Sequence, residues 1–391
     1  MDRIGRLPMA VALGALFNPL NSSMIAVALA HIEAEFHVGI AAVTWLAAGF
    51  YLAAVVVPPF MGALADRLGP RLVFCAGLVT VAVTGLLAAL APTFPLLVAM
   101  RLLQAFGSCA TFPAGMAIIR AKQDGRPPPR VIAMISMVLT ASAAAGPVLA
   151  GFLVTLWGWR AVFLVNLPLA AVALVAALRW LPELGRGAGR QAWLPRLRPA
   201  LLATCGQYAL VNVVFYLAFF AVPLWAQRSA RLPAHVAGLL LLPMAGLAIV
   251  VTPVAVALAA RAGLRVVLVV SSVLLAAGSC VMFLVGPVGV VLVATGLLGL
   301  ASAFSQFALN SLVFVHADRR DTGVAVGFFQ GSRFVGAAAA SSVTGVLFDP
   351  SGMGASGWAM VAASVAVLVV GAVLPVKTSD EEPRLKGQPT P

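Results

Sequence analysis

The sequence predicts an all-α polytopic membrane protein, with twelve transmembrane helices in two six-helix pseudo-symmetric bundles. Three observations predict it. Hydrophobic residues make up 62% of the 391-residue chain and charged residues 9%, with a mean hydropathy of +1.05, whereas soluble domains carry about a quarter charged residues. Apolar runs of about 20 residues, enough to cross the hydrocarbon as a helix, recur along the chain. Finally, residues 56–73, VVPPFMGALADRLGPRLV, match residues 250–267, VVTPVAVALAARAGLRVV, at ten of eighteen positions, at an offset of 194 that is close to half the length. A repeat on that scale implies two copies of one helical bundle. Duplicated bundles are how many secondary transporters set a substrate site between two rocking halves.

In chain order, the apolar runs place spans 1 to 12 near 8–30, 41–62, 72–91, 94–118, 131–155, 161–182, 200–226, 234–258, 266–286, 288–315, 322–347 and 357–375. Each single apolar run must satisfy its own backbone groups in lipid, which requires helices, and the short alternating segments of a barrel are absent. Arg3 and Arg6 ahead of an apolar stretch, with Ala26 and Ala28 beyond, imitate a signal peptide. That stretch is interrupted by Asn18-Pro19-Leu20-Asn21 and eleven further spans follow, so it is expected as a retained first helix. The domains expected are an N-terminal six-helix bundle at 1–182, a Gly/Arg-rich cytoplasmic linker at 183–199, a C-terminal six-helix bundle at 200–375 and a charged, Pro-rich tail at 376–391, expected to be disordered.

The formal charge of +13 is distributed by side. With both termini cytoplasmic, 20 of the 25 Lys and Arg fall on the cytoplasmic side, and only Arg160, Arg228 and Arg231 on the other. This is the positive-inside pattern of a multi-pass cell-membrane protein, and it speaks against a nucleic-acid partner. No nucleotide-binding loop is present, which argues against ATP-driven transport by this chain alone. Cys75, Cys109, Cys205 and Cys280 have no paired spacing and read as packing residues, and the four histidines are spread apart, so neither metal nor cofactor nor enzymatic catalysis is expected.

Polar residues inside the spans fall in stripes. Span 4 carries Arg101, Gln104, Ser108 and Thr111 at a 3-4-3 spacing that keeps them on one helix face. Span 7 carries Tyr208, Asn212 and Tyr216, span 10 carries Ser302, Gln306 and Asn310, and span 1 carries Asn18 and Asn21. Such stripes avoid lipid, and their occurrence on spans 1, 4, 7 and 10 points to a shared cavity; interhelical hydrogen bonding is the alternative. Gln330 and Arg333 of span 11 complete the candidate substrate cavity. Arg101 and Arg333 are the two charges well inside spans, where an Arg costs at least about 3 kcal/mol to insert. Arg101 has three options: an anionic group, backbone carbonyls, or an acid from another helix; for Arg333, snorkelling toward an interface is the alternative to a functional role. The lining suits neutral or weakly anionic compounds better than permanent cations.

Gly62-Ala-Leu-Ala-Asp66-Arg67-Leu-Gly69-Pro-Arg71 joins spans 2 and 3. Gly69 allows a tight turn, and Asp66 can accept from a neighbouring helix N-terminus as a latch that breaks when the halves rock. The second copy has Ala260 in place of Asp66 and Val256 in place of Gly62. With these residues the chain resembles the major facilitator superfamily: the loop matches that family's Gly-x-Leu-Ala-Asp-Arg-x-Gly-x-Arg motif. Arg101-Leu-Leu-Gln104-Ala-Phe-Gly107 is similar to its span 4 motif, with Ala105 in place of one Gly. Ala145-Gly146-Pro147-Val-Leu-Ala-Gly151 is similar to the span 5 antiporter motif, with Ala150 in place of a Gly; Gly146, Pro147 and Gly151 there permit bending and close packing.

Leu20-Asn21-Ser22-Ser23-Met24-Ile25-Ala26-Val27-Ala28-Leu29 and Trp159-Arg160-Ala-Val-Phe163-Leu-Val-Asn166-Leu-Pro168 resemble motifs of the drug:proton antiporter (multidrug efflux) branches. The resemblance implies a monomeric secondary transporter in contact with membrane lipid. It would export small organic molecules, drugs or metabolites, by alternating access with protons as the coupling partner. Asn21 stands where that branch has an Asp, and no Asp or Glu lies deep in any span. Asp66, Glu33 and Glu35 remain as proton carriers, and proton-independent uniport or exchange of a metabolite is the alternative. A polytopic enzyme or sensor is the remote one.

Overall fold

In the computed structural model, residues 3–122, 129–184, 198–283, 288–316, 322–347 and 354–373 are described. Fifteen helical segments combine into twelve rods. Span 1 is Arg3–Ala15 and Phe17–Phe36, span 2 is Ile40–Val43 and Trp45–Leu68, span 3 is Pro70–Ala89, and span 4 is Phe94–Lys122. Span 5 is Pro129–Trp157, span 6 is Ala161–Leu164 and Asn166–Trp180, and span 7 is Pro199–Arg228. Spans 8 and 9 are Ala234–Leu239 and Leu242–Phe283, divided at Gly263. Spans 10, 11 and 12 are Val288–His316, Thr322–Leu347 and Gly354–Val373. Eight continuous stretches among the described residues are long and apolar enough to cross a membrane; one of them, Ala234–Met282, holds two spans.

Three of the four breaks within rods have a local cause. The interruptions at Leu16, Val165 and Leu240–Leu241 each fall two or three residues before a proline, Pro19, Pro168 and Pro243. Proline lacks the N–H that would bond the carbonyl four residues back and its ring crowds that turn, so the helix loosens just upstream. The turns between spans 2 and 3 and between spans 8 and 9 are made by Gly69 (φ 100°) and Gly263 (φ 82°). These are the matched glycines of the internal repeat. Both occupy backbone geometry that a side chain would strain, so the duplication is visible in conformation as well as in sequence.

Among the described residues, the halves meet chiefly along three pairs of spans, 1 with 7, 2 with 11 and 5 with 8, with a smaller contact between 1 and 8. The last of these contacts is close. A Cβ on Gly151 of span 5 would strike the Ala234 carbonyl of span 8, and one on Gly238 of span 8 would strike the Pro147 carbonyl of span 5. Small residues let backbones approach in lipid, where dispersion rather than water drives association.

Candidate functional site

Bonds between the halves cluster at one end of the bundle, opposite the turns at Gly69 and Gly263. Glu33 of span 1 pairs with Arg228 of span 7. The Gln227 side-chain amide donates to the Val27 carbonyl at 3.1 Å. Ser341 of span 11 donates to the Thr44 carbonyl of span 2 at 2.8 Å, and His235 Nδ1 lies 3.3 Å from the Thr155 hydroxyl. These four bonds fasten the halves together at this end.

The expected cavity residues separate into two sets. The first lies inside the N-terminal half. Arg101, 2% exposed, donates from Nη2 to the Asn21 carbonyl and from Nη1 to Gln104 Oε1, both at 2.7 Å, with its guanidinium 4.4 Å from the Phe50 ring centre. Asn21 donates to Asn166 Oδ1 of span 6 at 2.9 Å, and Asn18 to the Cys109 thiol at 3.2 Å. Ser108 is fully buried on its own helix, and Thr111 reaches the Gly14 carbonyl of span 1 at 2.9 Å. The stripes of spans 1 and 4 thus face each other, span 6 and span 2. Of the three options for Arg101, backbone and amide oxygens are the ones used.

The second set lies in the C-terminal half, where Tyr51 of span 2 meets it. Tyr208 stacks on Phe329 of span 11 (4.1 Å, 11°) and donates to Gln306 of span 10 at 2.7 Å. Asn212 donates to the Tyr208 carbonyl at 2.7 Å, and Asn310 to the Gln306 carbonyl at 2.6 Å. Gln306, Phe307, Asn310 and Ser311 line, with Thr252 of span 8, a cavity of about 400 Å³. Gln330 is exposed. Arg333 donates from Nη2 to the Tyr216 hydroxyl at 3.2 Å and lies 5.2 Å from the Phe334 ring centre. Tyr51 of span 2 joins this group from the other half, its ring 5.2 Å from Tyr216 and stacked near Phe334 at 6.1 Å.

Among the gating candidates, Gly146 packs on Ser23 of span 1, so span 5 touches its own half through Gly146 and the other half through Gly151 and Pro147. Arg71 pairs with Glu183 at 2.7 Å and donates to the Leu178 carbonyl at 2.8 Å, tying the start of span 3 to the end of span 6. Arg67 is exposed, Gly62 has open space where a Cβ would be, and the Asp66 side chain lies outside the described residues. Sequence reasoning did not single out Tyr51, Thr252 or the Glu33–Arg228 pair. An in-span Tyr was an available signal for the first; nothing in the helical period indicates the partner of Glu33.

The Major Facilitator Superfamily family model matches residues 11–341 and 204–390. The uncharacterized MFS-type transporter YwoD of Bacillus subtilis is 31% identical over 404 residues, covering 87% of this chain and 89% of the relative. The Methylenomycin A resistance protein of Bacillus subtilis is 30% identical over 203 residues, 52% of this chain and 44% of the relative. The Tetracenomycin C resistance and export protein of Streptomyces glaucescens is 35% identical over 170 residues, 44% of this chain and 32% of the relative. Among solved structures, a bacterial homolog of the human lysosomal transporter Spinster, inward-facing and unoccupied, is similar with a TM-score of 0.75 at 16% identity, covering 96% of each chain. The nucleoside transporter NupG gives 0.70 at 15%, covering 96% of this chain and 98% of that one. At such identity these two likenesses concern the fold.

Proposed function

The chain belongs to the Major Facilitator Superfamily, and on that premise we propose that it is a proton-coupled exporter of small amphipathic organic compounds that works by alternating access. It is a multi-pass membrane transporter of a small-molecule substrate and not an enzyme; the export direction, the proton and the cargo class are our reading. The observation that carries it is the fastening at one end. Among the described residues, the bonds Glu33–Arg228, Gln227–Val27, Ser341–Thr44 and His235–Thr155 join the halves at one end, as expected at one extreme of a rocking cycle. With both termini cytoplasmic in the cell membrane, as the basic loops suggest, the opposite end faces the cytoplasm, ready to load cargo for export. Residues 1–182 and 200–375 then move as the two units, with 183–199 as their tether. The relatives named for resistance and export support the direction.

A single Cys at Gln330 or Asn310, in a background lacking the native cysteines, is the test. It should react with a membrane-impermeant maleimide from the cytoplasmic side at rest and become reactive from the outer side once cargo is supplied. Labelling from one side only, with or without cargo, would end the reading. Asp66→Asn should cut transport severalfold with membrane insertion intact, because an amide in the latch carries no charge for a helix N-terminus; full transport would remove the latch.

A second reading, proton-independent exchange of one metabolite, is favoured by Asn21. Its amide is bonded to Asn166, and neither side chain titrates. Flux in proteoliposomes with and without a pH gradient separates the two.

A further inference from the structure

On the reading that cargo occupies the plane between the halves, we propose that the Arg333 guanidinium and the Tyr216 hydroxyl form a recognition subsite for an oxyanion. The cargo class is then a small organic acid with a flat apolar body. Four observations carry this. Arg333 stands eleven residues into the helix Thr322–Leu347, about 16 Å along the axis at 1.5 Å per residue. That is near the middle of hydrocarbon about 30 Å thick, too deep to snorkel to either interface. Second, the site is short of acceptors. Nη2 bonds the Tyr216 hydroxyl at a long 3.2 Å, while Nε is buried without a partner.

Third, all three tyrosines of the chain, Tyr51, Tyr208 and Tyr216, gather around this one guanidinium. Their donors are not equivalent. Tyr208 spends its proton on Gln306. Tyr216 accepts from Arg333, so its own O–H remains to donate beside the guanidinium. A guanidinium beside an O–H that is free to donate is complementary to a carboxylate or similar oxyanion. Fourth, the wall next to the charge is aromatic: Phe334 lies against the guanidinium, Tyr51 stacks near Phe334, and Phe329 stacks on Tyr208. None of the twelve Asp and Glu stands in the middle of a span to neutralise Arg333 from within. The charge is left for a ligand.

The test uses the purified full-length protein in phosphatidylcholine nanodiscs, so that no lipid headgroup carries net negative charge, and three matched probes: 1-naphthoate, 1-naphthamide and 1-naphthylmethylamine. Binding is read by tryptophan quenching. Naphthoate should bind at least about tenfold more tightly than the amide or the amine, the scale of one charge-assisted hydrogen bond. Arg333→Gln should erase that preference, Arg333→Lys should restore part of it, and Tyr216→Phe should weaken naphthoate alone. Size-exclusion elution and melting of each variant guard against misfolding. Equal binding of the three probes, no binding of naphthoate, or an unchanged preference in Arg333→Gln would overturn the inference. The transport reading is judged apart. If the labelled Gln330→Cys protein alternates while the probes bind equally, the cycle stands and the anion subsite falls; if labelling never alternates, the cycle falls whatever the probes do.

Discussion

Arg101 and Arg333 are the same residue in the same solvent, each within a membrane-spanning helix, and the protein treats them oppositely. Arg101 is sealed at 2% exposure, with two 2.7 Å bonds to oxygens of spans 1 and 4 and an aromatic ring beneath it. Arg333 is half-buried and bonds the Tyr216 phenol at a long 3.2 Å, and each of the two guanidiniums keeps a buried Nε without a partner. The difference teaches that an intramembrane charge does not by itself mark a binding site. What separates the two is whether the charge is braced by short bonds within one half or held by a long bond where the halves meet. Arg101 is a cross-brace of the first half; Arg333 belongs to the region that has to open and close.

The largest expected effect follows from that contrast. Arg101→Ala leaves the Asn21 carbonyl and the Gln104 amide without their partner and opens a void in a sealed interior. We expect a loss of about 3–5 kcal/mol, seen as low yield and a steep fall in melting temperature of the purified protein. Arg333→Ala should stay within about 1 kcal/mol of wild type, because Arg333 is half-buried and holds its partner by a long 3.2 Å bond. Comparable losses for the two variants would break the comparison.

Next in size is a change at the fastened end itself. Gly238→Leu drives a side chain into the Pro147 carbonyl of span 5, where overpacking costs about 1–3 kcal/mol. Since it acts across the interface between halves and not within either, it should shift the protein toward the state open at that end. The expected readout is outer-side labelling of Gln330→Cys without cargo, and loss of net transport. Unaltered labelling would mean that the span 5–span 8 contact does not set the resting state.

Glu33→Gln is a milder push in the same direction. The Glu33 side chain is 8% exposed and its second oxygen is already unpartnered, while Arg228 is 31% exposed and able to reach water. Loss of the pair, discounted for that hydration, should favour opening by about 1 kcal/mol, roughly a fivefold rise in outer-side labelling. A decrease in labelling would show that the pair opposes closure instead.

Much of this was readable in the chain, and the boundary of what was readable has a physical cause. The twelve spans follow from apolar length, and the turns at Gly69 and Gly263 from the repeat, because both depend on local sequence. The stripe Arg101, Gln104, Ser108, Thr111 was equally legible as one helix face. What that face meets was not, since a period of 3.6 fixes direction around one axis and carries no information about the neighbouring helix. Spans 1 and 4 therefore look, from sequence, like spans 7 and 10, yet the first pair closes on itself through Asn21 and Arg101, while in the second Tyr208 bonds Gln306 and span 10 also lines a cavity with Thr252 of span 8. The pairing of Glu33 with Arg228 spans the two halves and is invisible to any local pattern.

The smallest effect sharpens a comparison between the halves as wholes. Gly69 and Gly263 hold matched positions with φ of 100° and 82°, but only the first copy retains an acidic residue, Asp66, where the second has Ala260. Gly69→Ala and Gly263→Ala impose the same backbone strain, about 1 kcal/mol or somewhat more, so their melting temperatures should fall by similar amounts. Transport should not respond equally. If the latch is confined to the first copy, misplacing the start of span 3 through Gly69→Ala disturbs Asp66 and slows flux, whereas Gly263→Ala lowers stability and leaves flux per folded molecule near wild type. Equal losses of flux would mean that both turns move in the cycle and that the second copy closes its end by packing alone.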